Sequence, residues 1–91
     1  MIAKTTTVIN QTGIHARPAS DFVYLAKGFQ SKITIENLDR PDSEPVNAKS
    51  AILVLTRGMG KGTTVRVAAD GPDEAAAVDA LIEMIGSGFN E

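Results

Sequence analysis

Pro18 constrains this chain more than any other single residue. Proline lacks a backbone N–H, and its ring clashes with the preceding turn, so a helix accepts it only in the first turn. The residues behind it, Ala19, Phe22, Leu25 or Ala26, and Phe29, recur at helical spacing. They predict an amphipathic helix over residues 16–27 with its apolar side toward a core. Pro18 then fixes the helix start near His15, and Gly28 marks the stop. His15 is the only histidine in 91 residues. It follows a turn-like stretch, residues 10–14 (NQTGI), so the chain presents it at a loop-to-helix junction.

The remaining elements follow from pattern. Residues 3–9 (AKTTTVI) are rich in β-branched side chains and predict a strand. Residues 32–37 (KITIEN) alternate, with Ile33 and Ile35 inward, and predict a second strand. Residues 38–45 (LDRPDSEP) are charged and proline-broken, a solvated loop, with a short strand near Val46 to close a hairpin. Asn47 is placed to cap a second helix from about Ala48 to Arg57, ended by Gly58. Residues 63–69 (TTVRVAA) predict the last strand, Val65 and Val67 inward and Arg66 outward. The C-terminal helix has Pro72 in its first turn, Asp73 and Glu74 at the positive end of the dipole, and Gly86 as its stop. Val78, Leu81, Ile82 and Ile85 make its apolar stripe. The order β-α-β-β-α-β-α favours an α+β fold, an antiparallel sheet with helices packed on one face. The length supports one domain, residues 1–91, with a core that buries roughly 60–65% of the unfolded surface.

Composition excludes several classes. There is no cysteine, hence no disulfide and no thiolate metal site, which suits a cytoplasmic protein. With one histidine and no cysteine, a transition-metal cluster cannot be assembled, and no cofactor is expected. The formal net charge of −2 offers no basic footprint for nucleic acid or an anionic membrane. No apolar run reaches ~18 residues, so no membrane span is expected. The first residues, MIAKTTTVIN, lack the apolar core of a signal peptide. Gly58-Met59-Gly60-Lys61-Gly62-Thr63 superficially resembles a nucleotide loop, but Gly62 stands where a P-loop needs Ser or Thr after Gly-Lys. A connection needing positive φ explains these glycines. Asp70, Asp73, Glu74 and Asp79 fit caps and solvated helix faces rather than a cation site. Tyr24, the single tyrosine, is expected to pack rather than react.

The histidine carries the chemistry. A neutral imidazole is a nucleophile, and a phosphorylated ring nitrogen keeps a reactive N–P bond that can be passed on. With His15 as the N-cap, the amides of Ala16 and Arg17 lack helical partners and offer donors to an anion. Arg17 adds a planar, permanently charged fork for phosphate oxygens, and Gly13 permits close approach before the histidine. Phosphoryl transfer asks mainly for positioning and electrostatic stabilisation, which this arrangement provides.

The stretch Gly13-Ile14-His15-Ala16-Arg17-Pro18-Ala19 resembles the active-site motif of the HPr family, the histidine-containing phosphocarriers of the bacterial phosphoenolpyruvate-dependent phosphotransferase system. Asn47-Ala48-Lys49-Ser50, Lys61-Gly62 and Gly71-Pro72-Asp73-Glu74 match in support, so the resemblance spans essentially the whole chain. It implies an open-faced β-sandwich of four antiparallel strands and three helices. It implies that Nδ1 of His15 accepts a phosphoryl group from phospho-Enzyme I, with Arg17 as charged partner, and passes it to a histidine of an Enzyme IIA. The protein would then be a stoichiometric relay rather than a turnover enzyme, for sugar uptake or nitrogen and carbon regulation. A monomer fits such a diffusing carrier.

Residues 51–55 (AILVL) are apolar all round a short helix, so part of that helix is expected at the surface. The resemblance assigns partner docking to Ala51, Ile52 and Leu55, and a regulatory phosphorylation by an HPr kinase/phosphorylase to Ser50. Three departures stand out. Residues 37–45 look longer than the family's usual turn, Arg57 occupies a commonly apolar position, and the ending 86–91 (GSGFNE) resembles the nitrogen-regulatory branch. Two other readings compete: a small-molecule-binding or regulatory α+β module in which His15 is incidental, and a scaffold acting through residues 51–55. Loss of phosphoryl acceptance in His15→Ala separates the carrier from both.

Overall fold

A computed structural model describes residues 1–40 and 42–90. Pro41 of the predicted loop and Glu91 of the predicted tail lie outside the described residues. Strand β1 (Ile2–Thr7) leads through the His15 loop into α1 (Ala16–Lys27), then β2 (Lys32–Asn37), β3 (Val46–Asn47), α2 (Ala51–Leu55), β4 (Thr64–Asp70) and α3 (Glu74–Gly86), ending in a 3₁₀ turn, Gly88–Asn90. The sheet order is β1-β4-β2-β3, and each neighbouring pair is antiparallel. This is the predicted α+β open-faced sandwich.

Alternation along the strands sets the layers. Ile33, Ile35, Val65, Val67 and Ala69 are buried, whereas Lys32, Arg66 and Asp70 face solvent. The pairing Glu36↔Arg66 brings opposite charges side by side on the open face, 3.5 Å apart. Over the other face, α1 supplies Ala19, Phe22, Val23 and Ala26, and α3 supplies Ala77, Val78, Leu81 and Ile85. Leu25, left open against Ala26 by periodicity, is half-buried, as are Phe29 and Ile82. The predicted hairpin closes in register Thr34↔Asn47 and Ile35↔Val46.

β1 ends at Thr7, two residues short of the predicted Ile9, and β4 lies one residue later than predicted. Four helix boundaries also differ from expectation. Asn47 does not cap α2: it lies in β3, and its Oδ1 accepts from the N–H of Lys49 at 2.9 Å. The Ala48 N–H still bonds to Ile33, so the chain turns before any helix can start. Ser50 is the cap, its Oγ accepting from Leu53 N–H at 3.3 Å, and α2 is only five residues long. Its C-cap is Thr56, and Gly58 follows as a left-handed turn residue with φ +61°. Pro72 precedes α3 rather than entering its first turn, because Asp73 is the N-cap. Gly86 is the last helical residue, and Ser87 ends the helix. No helix among the described residues is long and apolar enough to cross a membrane.

Candidate functional site

His15 is held from both sides by buried chain. Behind it, Ile14 is buried and its N–H bonds to the Met59 carbonyl at 2.8 Å. The Asn10 side chain, also buried, donates to the Gly13 carbonyl at 2.9 Å, and the Gly13 N–H returns to the Asn10 carbonyl at 3.1 Å. Gly13 has φ +68°, and a Cβ there would stand 2.6 Å from Gly60 Cα and from the Met59 oxygen. Only glycine fits. In front, Pro18 and Ala19 in the first turn of α1 are buried. The loop between β1 and α1 is thus pinned to the turn after α2, and the imidazole at its tip stays exposed.

His15 is the N-cap of α1 as predicted, with extended φ −148° and ψ 159°, and its side chain makes no capping bond. The ring is therefore not consumed by the helix it opens. Ala16 has φ +52°, a left-handed value that costs an L-residue roughly 1–2 kcal/mol. A left-handed residue at the head of a right-handed helix brings successive N–H groups toward one point, the backbone arrangement of an anion nest. This strain escaped the sequence reading because alanine carries no signal for it.

The Arg17 side chain is exposed and takes part in no hydrogen bond or ion pair among the described residues. Arg17 borders a cleft of about 340 Å³ with Pro18, Asp21, Phe89 and Asn90, one that His15 does not line. His15 itself lies in a second cleft of about 270 Å³, lined by Thr12, Ile14, Leu55, Gly58, Met59 and Gly60. Leu55 joins the α2 face to the histidine. Ala51 is exposed, Ile52 is 77% exposed and Leu55 43%, while Val54 alone of α2 is buried. The expected apolar patch is thus present at the surface. Of the glycines after α2, Gly58 and Gly62 have positive φ as expected, but Gly60 does not, and a Cβ there would meet nothing within 4 Å, so the close approach restricts Gly13 and not Gly60.

Other candidates fall elsewhere. Ser50 is engaged as the α2 cap. Asp73 and Glu74 accept from backbone N–H groups, and Asp79 pairs with Lys4, as structural roles require. No group of three or more His, Cys, Asp or Glu residues could hold a metal among the described residues. Tyr24 contradicts expectation: it is 83% exposed, because its place on α1 points away from the side that carries Phe22, Val23 and Ala26 inward. The sequence reading missed Asn10 and Met59. The glycines on either side of Met59 were the only trace of its part in the site.

The architecture and the exposed, backbone-pinned histidine define a small open-faced sandwich built around one nucleophilic side chain. A family model described as "PTS HPr component phosphorylation site" matches residues 2–87. The chain belongs to the HPr family, the phosphocarriers of the phosphotransferase system. It is 38% identical to the phosphocarrier protein HPr of Treponema pallidum, over 100% of this chain and 99% of that one. It is 39% identical to the multiphosphoryl transfer protein of Haemophilus influenzae over 99% of this chain, but spans only 18% of that longer relative. Among solved structures, an HPr from Thermoanaerobacter tengcongensis superposes with a TM-score of 0.90 at 40% identity, covering 100% of this chain and 98% of that one. These relatives do not favour the small-molecule-binding reading.

Proposed function

We propose that the protein accepts a phosphoryl group on Nδ1 of His15 from phospho-Enzyme I, charged by phosphoenolpyruvate, and delivers it to a histidine of an Enzyme IIA. The observation that carries this is a single exposed imidazole, free of any capping bond, on a loop fixed by the Ile14–Met59 and Asn10–Gly13 bonds, with Arg17 following in the first turn of α1 and in no ion pair among the described residues. In each step the lone pair of the attacking ring nitrogen forms a new N–P bond as the donor's N–P bond breaks. Its electron pair returns to the donor imidazole, so neither oxidant nor metal is needed. Acceptance at Nδ1 requires the tautomer protonated on Nε2. Negative charge on the phosphoryl oxygens is met by the Ala16 and Arg17 amides, the helix dipole and the Arg17 guanidinium.

Ala51, Ile52 and Leu55 form the partner-docking face, supported by their exposure and by Leu55's place in the His15 cleft. The protein acts as a cytoplasmic monomer and as a stoichiometric relay. Phosphorylation of Ser50 is a separate, regulatory proposal: it would replace the Leu53 cap and set a dianion beside the docking face. Intact-mass spectrometry after incubation with phosphoenolpyruvate and Enzyme I tests the central reading. One acid-labile phosphoryl adduct on the wild type, absent from His15→Ala, is expected. Its absence from the wild type overturns the proposal, and an acid-stable adduct dependent on ATP and a kinase would mark Ser50.

A further inference from the structure

The segment joining β2 to β3 is long for a hairpin, and one of its residues has a conspicuous place. Arg40 reaches back across the C-terminal end of α2. Its Nη1 lies 3.4 Å from the Arg57 carbonyl oxygen, close to the limit of a hydrogen bond. A Cβ added to Gly58 would stand 3.3 Å from the same nitrogen, so the guanidinium rests against Gly58. Gly58 is also a wall of the His15 cleft, together with Leu55. The loop thus delivers a guanidinium to the far rim of the surface that carries His15 and the exposed apolar side chains of α2.

Arg40 forms no ion pair among the described residues, although Asp39, Asp42 and Glu44 belong to the same loop. Asp39 is turned to the sheet instead, its Oδ2 accepting from Thr64 N–H at 3.1 Å. The loop is anchored beside Arg40 by side-chain bonds. Asn37 Oδ1 takes the Asp39 N–H at 2.9 Å, and Asn37 Nδ2 donates to the Arg57 carbonyl at 2.8 Å. Arg57 adds a second cation at this end of α2. It too is in no ion pair among the described residues, and its buried Nε has no hydrogen-bond partner. Two arginines thus stand at one end of the helix, neither in an ion pair among the described residues. The chain as a whole is acidic, with a net charge of −2.

We propose that Arg40 is a specificity-determining residue whose guanidinium grips a carboxylate on the surface of the protein that docks on α2 to deliver the phosphoryl group. This rests on the docking face proposed above and extends it to the β2–β3 loop. The occupant is fixed by two things: continuity with the exposed Ile52 and Leu55, and a planar cation with no acidic partner of its own. An apolar contact at α2 bounded by a charge pair at the rim is the ordinary anatomy of a transient interface. Rim charges act on encounter and on salt dependence more than on the chemistry that follows.

The test is steady-state phosphorylation of the full chain by phosphoenolpyruvate and Enzyme I, in wild type, Arg40→Ala, Arg40→Lys and Arg40→Glu, across a range of ionic strength. Arg40→Ala is expected to raise KM for the chain about fivefold at low salt with kcat unchanged. Arg40→Lys should recover part of that loss, Arg40→Glu should deepen it, and the differences should fade as salt screens the contact. Thermal midpoints should match, because Arg40 is exposed. Unchanged KM in Arg40→Ala overturns the inference. So does a KM rise that tracks a lowered thermal midpoint and is insensitive to salt, which would make Arg40 a cap for the α2 carbonyls. No phosphorylation of the wild type would instead remove the carrier reading and this one with it.

Discussion

Asp73 and Ser31 are 42 residues apart in sequence and joined by two hydrogen bonds: the Ser31 N–H donates at 2.9 Å to Oδ1 of Asp73, and the Ser31 hydroxyl donates to the same oxygen. The other carboxylate oxygen takes the Gln30 N–H at 2.8 Å. One side chain at the head of α3 therefore fastens the turn between α1 and β2. The approach is close enough that a Cβ on Gly71 would stand 2.7 Å from Ser31 Cα. The Ser31 hydroxyl first, and the Gln30 N–H next, hold the Asp73 carboxyl below its ordinary value of 3.8. A lowered folded-state pKa means stability that is present above that ordinary value and lost as pH falls through the lower folded one. Wild type is thus expected to exceed Asp73→Asn in stability at neutral pH, with the gap closing in strong acid. Denaturant melts of both proteins across that range check it. A gap that persists undiminished in acid would show that the carboxylate charge is not what holds the turn.

Gly13→Ala should damage both stability and transfer. It forces an L-residue into φ +68° and drives a Cβ to 2.6 Å from the Gly60 and Met59 backbone. The expected cost is about 2–4 kcal/mol, from left-handed strain and overpacking together. Phosphoryl acceptance should fall beyond what unfolding explains, because the same clash separates the His15 loop from the turn after α2. Gly28→Ala is the control. Gly28 sits at φ −75°, and the change should stay within about 1 kcal/mol with transfer intact. Urea melts and single-turnover phosphorylation of the two variants give the comparison.

What could be read in advance depended on whether a local rule or a distant partner decided the outcome. Helix α1 was legible because Pro18 and the spacing of Ala19, Phe22 and Ala26 are local and agree. Strands β2 and β4 were legible because one face is buried, and alternation then shows in the side chains. The start of α2 was not. Asn47 looks like a cap until β2 claims the next residue through the Ala48–Ile33 bond, and a five-residue helix is too short to declare its own period. At the site, His15 and Arg17 announce themselves by residue type. The left-handed Ala16, the Met59 carbonyl and the Asn10 brace do not, since each acts through backbone or through a contact made only once the sheet has formed.

Neighbouring positions on α2 should separate docking from folding. Ile52 is 77% exposed, so Ile52→Glu is expected to shift stability by no more than about 0.5 kcal/mol. It should nevertheless raise KM for phosphorylation steeply, by placing a charge in the apolar contact. Val54 is fully buried, and Val54→Ala should cost about 2 kcal/mol through lost burial and the cavity left behind. Its effect on transfer should be small while the protein stays folded. Thermal unfolding and steady-state phosphorylation of both variants decide the matter. A large stability loss in Ile52→Glu would mean the α2 face is structural.

Arg17 offers the sharpest division between chemistry and fold. Its side chain is exposed and unpaired among the described residues, so nothing in the folded protein depends on its charge. Arg17→Ala should leave the thermal midpoint within the range of ordinary surface changes. Transfer is a different matter, because the guanidinium can meet charge that gathers on the phosphoryl oxygens as the N–P bond is exchanged. Removing one such donor is expected to lower the transfer rate about a hundredfold, at the cautious end for groups of this kind. Arg17→Lys keeps the charge but loses the planar fork, so its rate should fall between the two. Rapid-quench measurement of phosphoryl transfer, with circular dichroism on the same samples, supplies both readouts. Equal losses of helicity and rate would place Arg17 in the framework of α1 and take it out of the phosphoryl site.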